Sequence, residues 1–335
     1  MTIARGLKVF SAMIIDTSRP IVVALGGNAI SREGEQGTIE QQFGHSRLTA
    51  SHVVNLLAEG CRMVITHGNG PQVGNAIRRV ELARPHIYPL PIDVCVADTQ
   101  GGMGYMIAQC INNELWSRDV QRTVCTLVTS VEVSADDPAF DNPTKPIGAF
   151  YSEPEAQALM QREGWSMVRI NHRGWRRVVP SPAPQAVVEI DLIRALVSAN
   201  ETVIAGGGGG IPVIRDVDGG LRGVEGVVDK DRTSGLIATE IDAALLLIGT
   251  GVKCVMADYG TPKERELREL TTSQARALLA EGQFPIGSMG PKIESAVAFV
   301  EIQAHKGRDA KAVICDTHEL GDAVRGESGT VIVHG

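Results

Sequence analysis

Several common signatures are missing from this 335-residue sequence, and each absence narrows what the protein can be. Aromatic residues make up only 4% of the chain, and its six cysteines are scattered without a C-x-x-C pair. Scattered cysteines inside apolar runs indicate buried thiols in a reducing compartment rather than a disulfide framework. The histidines show neither H-E-x-x-H nor another metal-ligand spacing, which disfavours a zinc site, and we expect no metal-ligating residues.

The chain also lacks an excess of positive charge and a long hydrophobic run. Its formal net charge is −7, which predicts neither a nucleic-acid nor an anionic-membrane partner. The apolar run "VFSAMII" is too short to span a bilayer, and no small-residue cleavage site stands before "DTSRP". We interpret residues 1–19 as an N-terminal extension and expect a cytoplasmic protein.

Two nucleotide-binding fingerprints are absent as well. No G-x-x-x-x-G-K-[ST] occurs, and no G-x-G-x-x-G opens a helix after a strand. These absences disfavour a P-loop NTPase and a standard dinucleotide-binding fold.

What the sequence has in abundance is glycine, with 37 residues, often directly after a strand. Apolar runs that end in glycine are "IVVALGGNAI", "CRMVITHGNG", "ETVIAGGGGG" and "AALLLIGTG". Between some of the runs lie segments of helical period, such as "EIDLIRALVSA" and "KIESAVAFV". Repeated strand, glycine and helix predict an α/β protein with a central, mainly parallel open sheet.

In such sheets ligands bind beyond the carboxyl ends of the strands. Gly26 and Gly27 would let the backbone approach a phosphate closely, with Asn28 as a side-chain donor. The run Gly206–Gly210, which includes Gly207 and Gly208, would form a cradle of backbone N–H groups, although a flexible turn without a ligand is the alternative.

Lysines in constrained settings are the other chemical signal. Lys230 stands between two aspartates in "VVDKDRTSG", at an expected helix start, where it is either part of a solvated cap or a phosphate-binding group. "NPTKPIG" and "GSMGPKIES" place Lys145 and Lys292 among Pro and Gly. "THGNGPQVG" is ambiguous by itself, because His67 is equally well a structural histidine.

One segment interrupts the α/β rhythm. From Glu132 to about Pro184 the chain is rich in Pro, Asp, Arg and Trp, and no long strand run is visible. We predict a loop-rich excursion or lid there.

In this order, the motifs resemble those of the carbamate kinases, in the amino acid kinase superfamily. The motifs that carry the resemblance are "VVALGGNAI", "THGNGPQVG", "QGGMGYMI", "DDPAFDNPTKPIGAFYSE", "HRGWRRVVPSP", "AGGGGGIPV", "VVDKDRTSG", "YGTP" and "GSMGPK". The resemblance covers the chain from about Ile21 to the C-terminus. It implies an αβα sandwich of two lobes with a protruding subdomain, the amino acid kinase fold.

The resemblance also implies a separate binding function for each lobe. Residues 20–235 would form an N-terminal lobe for carbamate or carbamoyl phosphate, with a protruding subdomain at about 130–178. Residues 236–335 would form a nucleotide-binding C-terminal lobe. The implied reaction is reversible transfer between ATP and carbamate, giving ADP and carbamoyl phosphate with Mg²⁺, by a homodimer that often works toward ATP in nitrogen catabolism.

Carried over to this sequence, the motifs imply specific roles. The residues expected to bind the phosphoryl group or the substrate are Gly26, Gly27, Asn28, Gly68, Asn69, Gly70, Gly207 and Gly208. Lys145, Lys230 and Lys292 would neutralise phosphate charge, and Asp231 would orient the lysines. The residues expected on the nucleotide side are Thr250, Gly251, Met256 and Tyr259.

Two places in the sequence bear on the resemblance, and one of them departs from the family pattern. Ala24 stands where much of the superfamily has a catalytic lysine, a feature that carbamate kinases share, and Lys145 is the expected substitute. Where the family usually reads Leu-Thr-Asp-Val-Asp before Val-Tyr, this chain has "GTGVKCVM", with Lys253 and without the two acids. This change keeps open the alternative of a catalytically weak paralogue that binds carbamoyl phosphate or nucleotide for a partner enzyme. A third alternative, an acylphosphate-forming kinase for another small carboxylate, would need a larger acceptor pocket than the family's.

Overall fold

The computed structural model describes residues 16, 18–31, 34–84, 86–285 and 287–335. Apart from residues 16, 18 and 19, the expected N-terminal extension lies outside the described residues. The helices, in chain order, are α1 (Ile39–Ala58), α2 (Gly70–Ala83), α3 (Ile92–Ser117), α4 (Glu153–Glu163), α5 (Ile190–Ser198), α6 (Lys230–Glu240), α7 (Thr272–Ala280), α8 (Met289–His305) and α9 (Leu320–Val324).

The strands alternate with these helices for most of the chain. In the first half they are β1 (Ile21–Leu25), β2 (Met63–His67), β3 (Val124–Thr126), β4 (Ser130–Val133), β5 (Lys145–Tyr151), β6 (Met167–Ile170), β7 (Gly174–Val179) and β8 (Pro184–Val187). In the second half they are β9 (Thr202–Ile204), β10 (Ile211–Arg215), β11 (Leu221–Gly223), β12 (Leu245–Thr250), β13 (Val255–Ala257), β14 (Arg265–Leu267), β15 (Glu269–Thr271), β16 (Lys311–Asp316) and β17 (Thr330–Val333).

Eight strands form the central sheet, in the order β15-β17-β16-β12-β1-β2-β9-β3. All neighbouring pairs are parallel except β16 and β17, which confirms the predicted mainly parallel sheet. The carboxyl ends of β1, β2, β9 and β12 therefore lie along one edge, where the glycine-rich turns begin.

The core lies in two layers, one on each face of this sheet. Along β1, Val22 and Ala24 point into one layer while Ile21, Val23 and Leu25 point into the other. Helices α5, α6, α7 and α8 cover the first face, and α1, α3 and α9 cover the second. This arrangement confirms the predicted αβα sandwich and the two helices expected from apolar periodicity, α5 and α8.

The prediction of a loop-rich segment from Glu132 to about Pro184 is wrong. The segment contains α4 and a separate three-stranded antiparallel sheet in the order β5-β7-β6. Its strands are mostly half-buried, so they lack the continuous apolar run that marks the central strands. We call residues 145–179 the side sheet unit.

The predicted two-lobe division remains a prediction. Helix α6 runs across the predicted lobe boundary at residue 235. Strand β1 pairs directly with β12, so both predicted lobes contribute strands to one sheet. None of the helices within the described ranges is both long and apolar enough to cross a bilayer.

Candidate functional site

The start of helix α6 fixes two of the predicted residues. Asp229 is the N-cap, and its Oδ1 accepts a hydrogen bond from the Asp231 backbone N–H at 2.9 Å. Aspartate is a favoured N-cap because its oxygen satisfies an otherwise unpaired helix N–H. The cap therefore places Lys230 and Asp231 in the first turn, at the positive end of the helix dipole.

Asp231 joins two lysines that are distant in sequence. Its Oδ1 accepts a hydrogen bond from Lys230 Nζ at 2.6 Å, and its Oδ2 accepts one from Lys292 Nζ at 2.8 Å. Lys292 lies in the first turn of α8, so two helix N-termini and two ammonium groups meet at one carboxylate. Only 6% of the Asp231 side chain is exposed, which makes the pairing a buried one.

The pKa values of Asp231 and Lys230 are both lowered, for different reasons. Burial alone would raise the pKa of Asp231, but the charges and hydrogen bonds of Lys230 and Lys292 hold the pKa at about 2. Burial lowers the pKa of Lys230, as does the charge of Lys292, while Asp231 opposes both effects. The carboxylate is thus ionised at neutral pH and keeps two crowded cations together.

Lys145 reaches the same cluster from the side sheet unit. It begins β5, and its Nζ lies 3.2 Å from Oδ2 of Asp229. The N-cap aspartate of α6 therefore holds Lys145 while Asp231, two residues later, holds the other two lysines.

Glycine loops form the opposite wall. The backbone N–H of Gly26 donates to the Gly249 oxygen at 3.1 Å, and a Cβ on Gly26 would lie 2.7 Å from that oxygen. Gly208 has φ +65°, and a Cβ there would overlap the buried Asn69 side chain. Asn69 in turn donates to Thr99 Oγ1 at 2.9 Å. Glycine is required at these positions because the ends of neighbouring strands pack closely.

His67 is a structural group beneath this wall. It is buried, and a Cβ on Gly207 would lie 2.5 Å from its Nε2. Burial lowers the pKa of His67 to about 4, with a smaller contribution from the charge of Lys230. The ring is therefore neutral at physiological pH.

The lysines and glycine loops enclose a cleft with a volume of about 780 Å³. The predicted residues that line it are Gly27, Gly68, Asn69, Gly70, Gly208, Lys145, Lys230, Asp231 and Lys292. Five cations and three carboxylates line the cleft, so its charge suits an anionic ligand. The Asn28 side chain lies outside the described parts of the structure, so its predicted role stays a prediction.

Comparison with known proteins identifies the lineage. The amino acid kinase family model matches residues 19–308, most of the chain. The chain belongs to the amino acid kinase family. This amino acid kinase is 42% identical over 315 residues to carbamate kinase of Pyrococcus furiosus, covering 93% of this chain and 98% of that one. It is 43% identical over 317 residues to the carbamate kinase-like protein YahI of Escherichia coli, covering 93% and 98%.

A solved structure agrees with this assignment. Carbamate kinase from Giardia lamblia bound to AMP-PNP superposes with a TM-score of 0.89 at 36% identity, covering 95% of this chain and 99% of that one. The comparisons confirm the predicted resemblance and the amino acid kinase fold.

The four residues predicted for the nucleotide side do not line this cleft. Thr250 is buried at the end of β12, and its Oγ1 donates to backbone oxygens of Val252 and Cys315 at 3.0 and 3.1 Å. Met256 lies in the β13–β14 pair, and the Tyr259 side chain is 70% exposed. For these three residues and for Gly251, a role in nucleotide binding stays a prediction.

Sequence reasoning missed two cations of the cleft. Arg78 on α2 and Arg176 on β7 both line it. The sequence signal for Arg176 is "GWRRVV", which as the strand β7 points Arg176 and Arg177 to opposite faces. Because a loop is predicted for this segment, the alternation does not stand out in the sequence.

Within the described residues, no cluster of three or more His, Cys, Asp and Glu side chains could hold a metal ion. In the cleft, Asp229 and Asp231 already accept hydrogen bonds from lysines.

Proposed function

We propose that this amino acid kinase is a carbamate kinase, which transfers a phosphoryl group reversibly between ATP and carbamate. The products in the forward direction are ADP and carbamoyl phosphate. The observation that carries the proposal is the convergence of Lys145, Lys230 and Lys292 on two aspartates beside the glycine loops. Relatives covering nearly the whole chain, such as that of Pyrococcus furiosus, bear the name carbamate kinase.

The lysines would stabilise the transition state by electrostatics. In phosphoryl transfer, negative charge spreads over the oxygens of the transferring group, so fixed cations lower the barrier. Asp231 holds Lys230 and Lys292 in place before any ligand binds, because each of its oxygens is bonded to one ammonium. Little reorganisation is then needed during the reaction.

The nucleophile needs no general base. An oxygen of carbamate is already anionic, so the protein has to position it and neutralise charge. The ionised groups agree with this, because Asp231, with a pKa of about 2, is a weak base, and His67, with a pKa of about 4, is buried beneath Gly207. The backbone N–H of Gly27 is the proposed loop donor to the phosphoryl oxygens, because the Gly68 N–H already donates to the Leu25 oxygen at 3.0 Å.

Mg²⁺ would arrive with the nucleotide. Mg²⁺ prefers few protein carboxylates and several phosphate oxygens or waters. The cleft fits this preference, since its two central aspartates are engaged by lysines. The ion would supply additional charge neutralisation on the phosphates.

The lobe assignment is part of the same proposal. Residues 20–235 would bind carbamate or carbamoyl phosphate, residues 236–335 would bind ATP or ADP, and the protruding subdomain would carry Lys145. Carbamoyl phosphate is a reactive acyl phosphate, so we infer that the enzyme works in the direction of ATP formation. The proposed setting of the reaction is nitrogen catabolism in the cytoplasm.

The decisive test is ATP formation by purified protein from ADP, Mg²⁺ and carbamoyl phosphate. Lys230→Ala should lower kcat by roughly 10²–10³-fold, because it removes a preorganised charge at the transition state. Lys306→Ala is the matched control: it removes a lysine whose Nζ hydrogen-bonds Thr239 O at 3.1 Å, at the far end of α8 from Lys292.

Wild-type turnover that is lost only in Lys230→Ala is the expected result. A folded wild-type protein that binds carbamoyl phosphate without turnover would contradict the proposal in favour of a binding paralogue. Faster turnover with a different small acylphosphate would contradict the assigned acceptor.

A further inference from the structure

Arg176 lines the same cleft as the three lysines but has no part in the reaction described above. Its Nη2 donates to the Gly148 carbonyl oxygen at 3.1 Å. Its guanidinium carbon lies 5.2 Å from the centroid of the Phe150 ring, over the ring. These two contacts fix the plane of the guanidinium beside β5, the strand that Lys145 begins.

The guanidinium is incompletely paired. Its Nε is buried and has no hydrogen-bond partner in the described part of the chain. The next residue on the strand differs, because Arg177 pairs with Glu225 at 3.1 Å. Arginine remains charged even when burial lowers its pKa, so a desolvated guanidinium of this kind favours an anion nearby.

The position of Arg176 indicates which substrate supplies that anion. β5 is irregular between Ile147 and Tyr151, and Gly148 in this bulge has φ +68°. The bulge packs against α2, since a Cβ on Gly74 would lie 3.5 Å from Gly148 N. Helix α2 begins at Gly70, in the loop assigned to carbamate, whereas the predicted nucleotide-side residues lie off this cleft.

We infer that Arg176 is a further substrate-binding residue, whose guanidinium donates to an anionic oxygen of carbamoyl phosphate. The inference rests on the proposed function, because that function supplies the ligand. A planar guanidinium with a fixed orientation suits the paired oxygens of a phosphate or a carboxylate, which a lysine contacts only as a point charge. Arg176 would thus select and orient the substrate while the lysines act on the transferring group.

The variants are chosen to separate a role of Arg176 in binding carbamoyl phosphate from a role in stabilising β5. Arg176→Gln removes the charge, and Arg176→Lys keeps the charge without the fork of donors. Arg173→Gln is the matched control, because the Arg173 guanidinium also lies 5.2 Å from the Phe150 centroid, yet Arg173 does not line the cleft.

ATP formation is measured with carbamoyl phosphate and ADP varied separately, and melting temperatures are recorded for each variant. Arg176→Gln should raise KM for carbamoyl phosphate by roughly 10- to 100-fold, the loss of one or two charge-assisted hydrogen bonds. KM for ADP should not change, Arg176→Lys should be intermediate, and Arg173→Gln should match the wild type.

An unchanged KM for carbamoyl phosphate in a folded Arg176→Gln protein would overturn the inference. Equal increases in both KM values, shared by Arg173→Gln and accompanied by lower melting temperatures, would overturn it in favour of a supporting role. Wild-type protein without turnover would count against the proposed function alone. Calorimetric binding of carbamoyl phosphate would then decide for Arg176: binding lost in Arg176→Gln supports the inference, and binding retained overturns it.

Discussion

At the residue scale, the cleft depends on two aspartates with different tasks. Asp229 caps α6 and binds Lys145, and Asp231 pairs with Lys230 and Lys292. The sequence predicts the three lysines from their constrained settings, and all three reach the cleft. It does not predict that Lys145 meets an aspartate 84 positions away, because only the fold brings them together.

Asp231→Asn tests the buried pairing through stability. Removing one partner of a buried ion pair leaves the other charges uncompensated, so we expect a loss of about 3–5 kcal/mol in the free energy of unfolding at pH 7. The folded-state pKa of about 2 lies below the ordinary carboxyl value of 3.8, so the stabilising contribution of Asp231 is full above about pH 4 and is lost as pH falls toward 2. Urea unfolding of the wild type and of Asp231→Asn between pH 7 and pH 3 measures this difference in the free energy of unfolding.

The matched control for this variant is Asp191→Asn. The Asp191 side chain is 91% exposed and pairs with Arg194 on the surface, where such a pair contributes about 0–1 kcal/mol. A stability difference between wild type and Asp231→Asn that stays constant down to pH 3 would contradict the low pKa. Equal effects of both variants would contradict the buried pairing.

At the element scale, strand ends and helix starts build the site. The sequence predicts β1, β2, β9, β12, α5 and α8 because buried elements carry clear apolar patterns. It fails for the side sheet unit, whose strands are half-buried and whose β5 contains a bulge. One local signal there was available: Ser152 and Glu155 form a capping box at the start of α4, with a proline in the first turn.

Gly208→Ala tests the close approach of two strand-end loops. The positive φ of +65° strains any residue with a Cβ by about 1–3 kcal/mol, and here the added methyl also overlaps Asn69. Gly219→Ala is the control, because its φ is +88° and no atom lies within 4 Å of the added Cβ.

Urea unfolding and KM for carbamoyl phosphate are measured on both glycine variants. Gly208→Ala should be destabilised more than Gly219→Ala and should raise KM, since Asn69 is displaced. If the two variants lose the same stability and both keep the wild-type KM, the packing of Gly208 against Asn69 is unimportant.

At the scale of the whole molecule, one face of α3 is suited to a second copy of the chain. Side chains at spacings of three and four residues form an exposed stripe on α3, which includes Val94, Gly101, Tyr105 and Trp116. Tyr105 is 61% and Trp116 is 86% exposed, and the glycine permits close approach of another helix. We therefore propose the homodimer that the resemblance implies.

Sedimentation velocity tests the dimer. The wild-type protein should have about twice the 35.7 kDa mass of one chain. Tyr105→Glu should shift it toward the monomer, because a buried unpaired charge opposes association. Val217→Glu, on the exposed turn between β10 and β11, should remain dimeric. A monomeric wild type, or a Tyr105→Glu protein that remains dimeric, would contradict this assignment.

The central position of β1 limits where the polypeptide can be divided. β1 is fully buried and is hydrogen-bonded on one side to β2 and on the other to β12, which is supplied by the C-terminal half. A polypeptide that ended before Leu245 would present β1 as an unpaired apolar edge, the kind of edge that promotes aggregation. The two halves proposed to bind the acceptor and the nucleotide are therefore not interchangeable modules, and productive shuffling between relatives would have to exchange β1 and β12 as a matched pair.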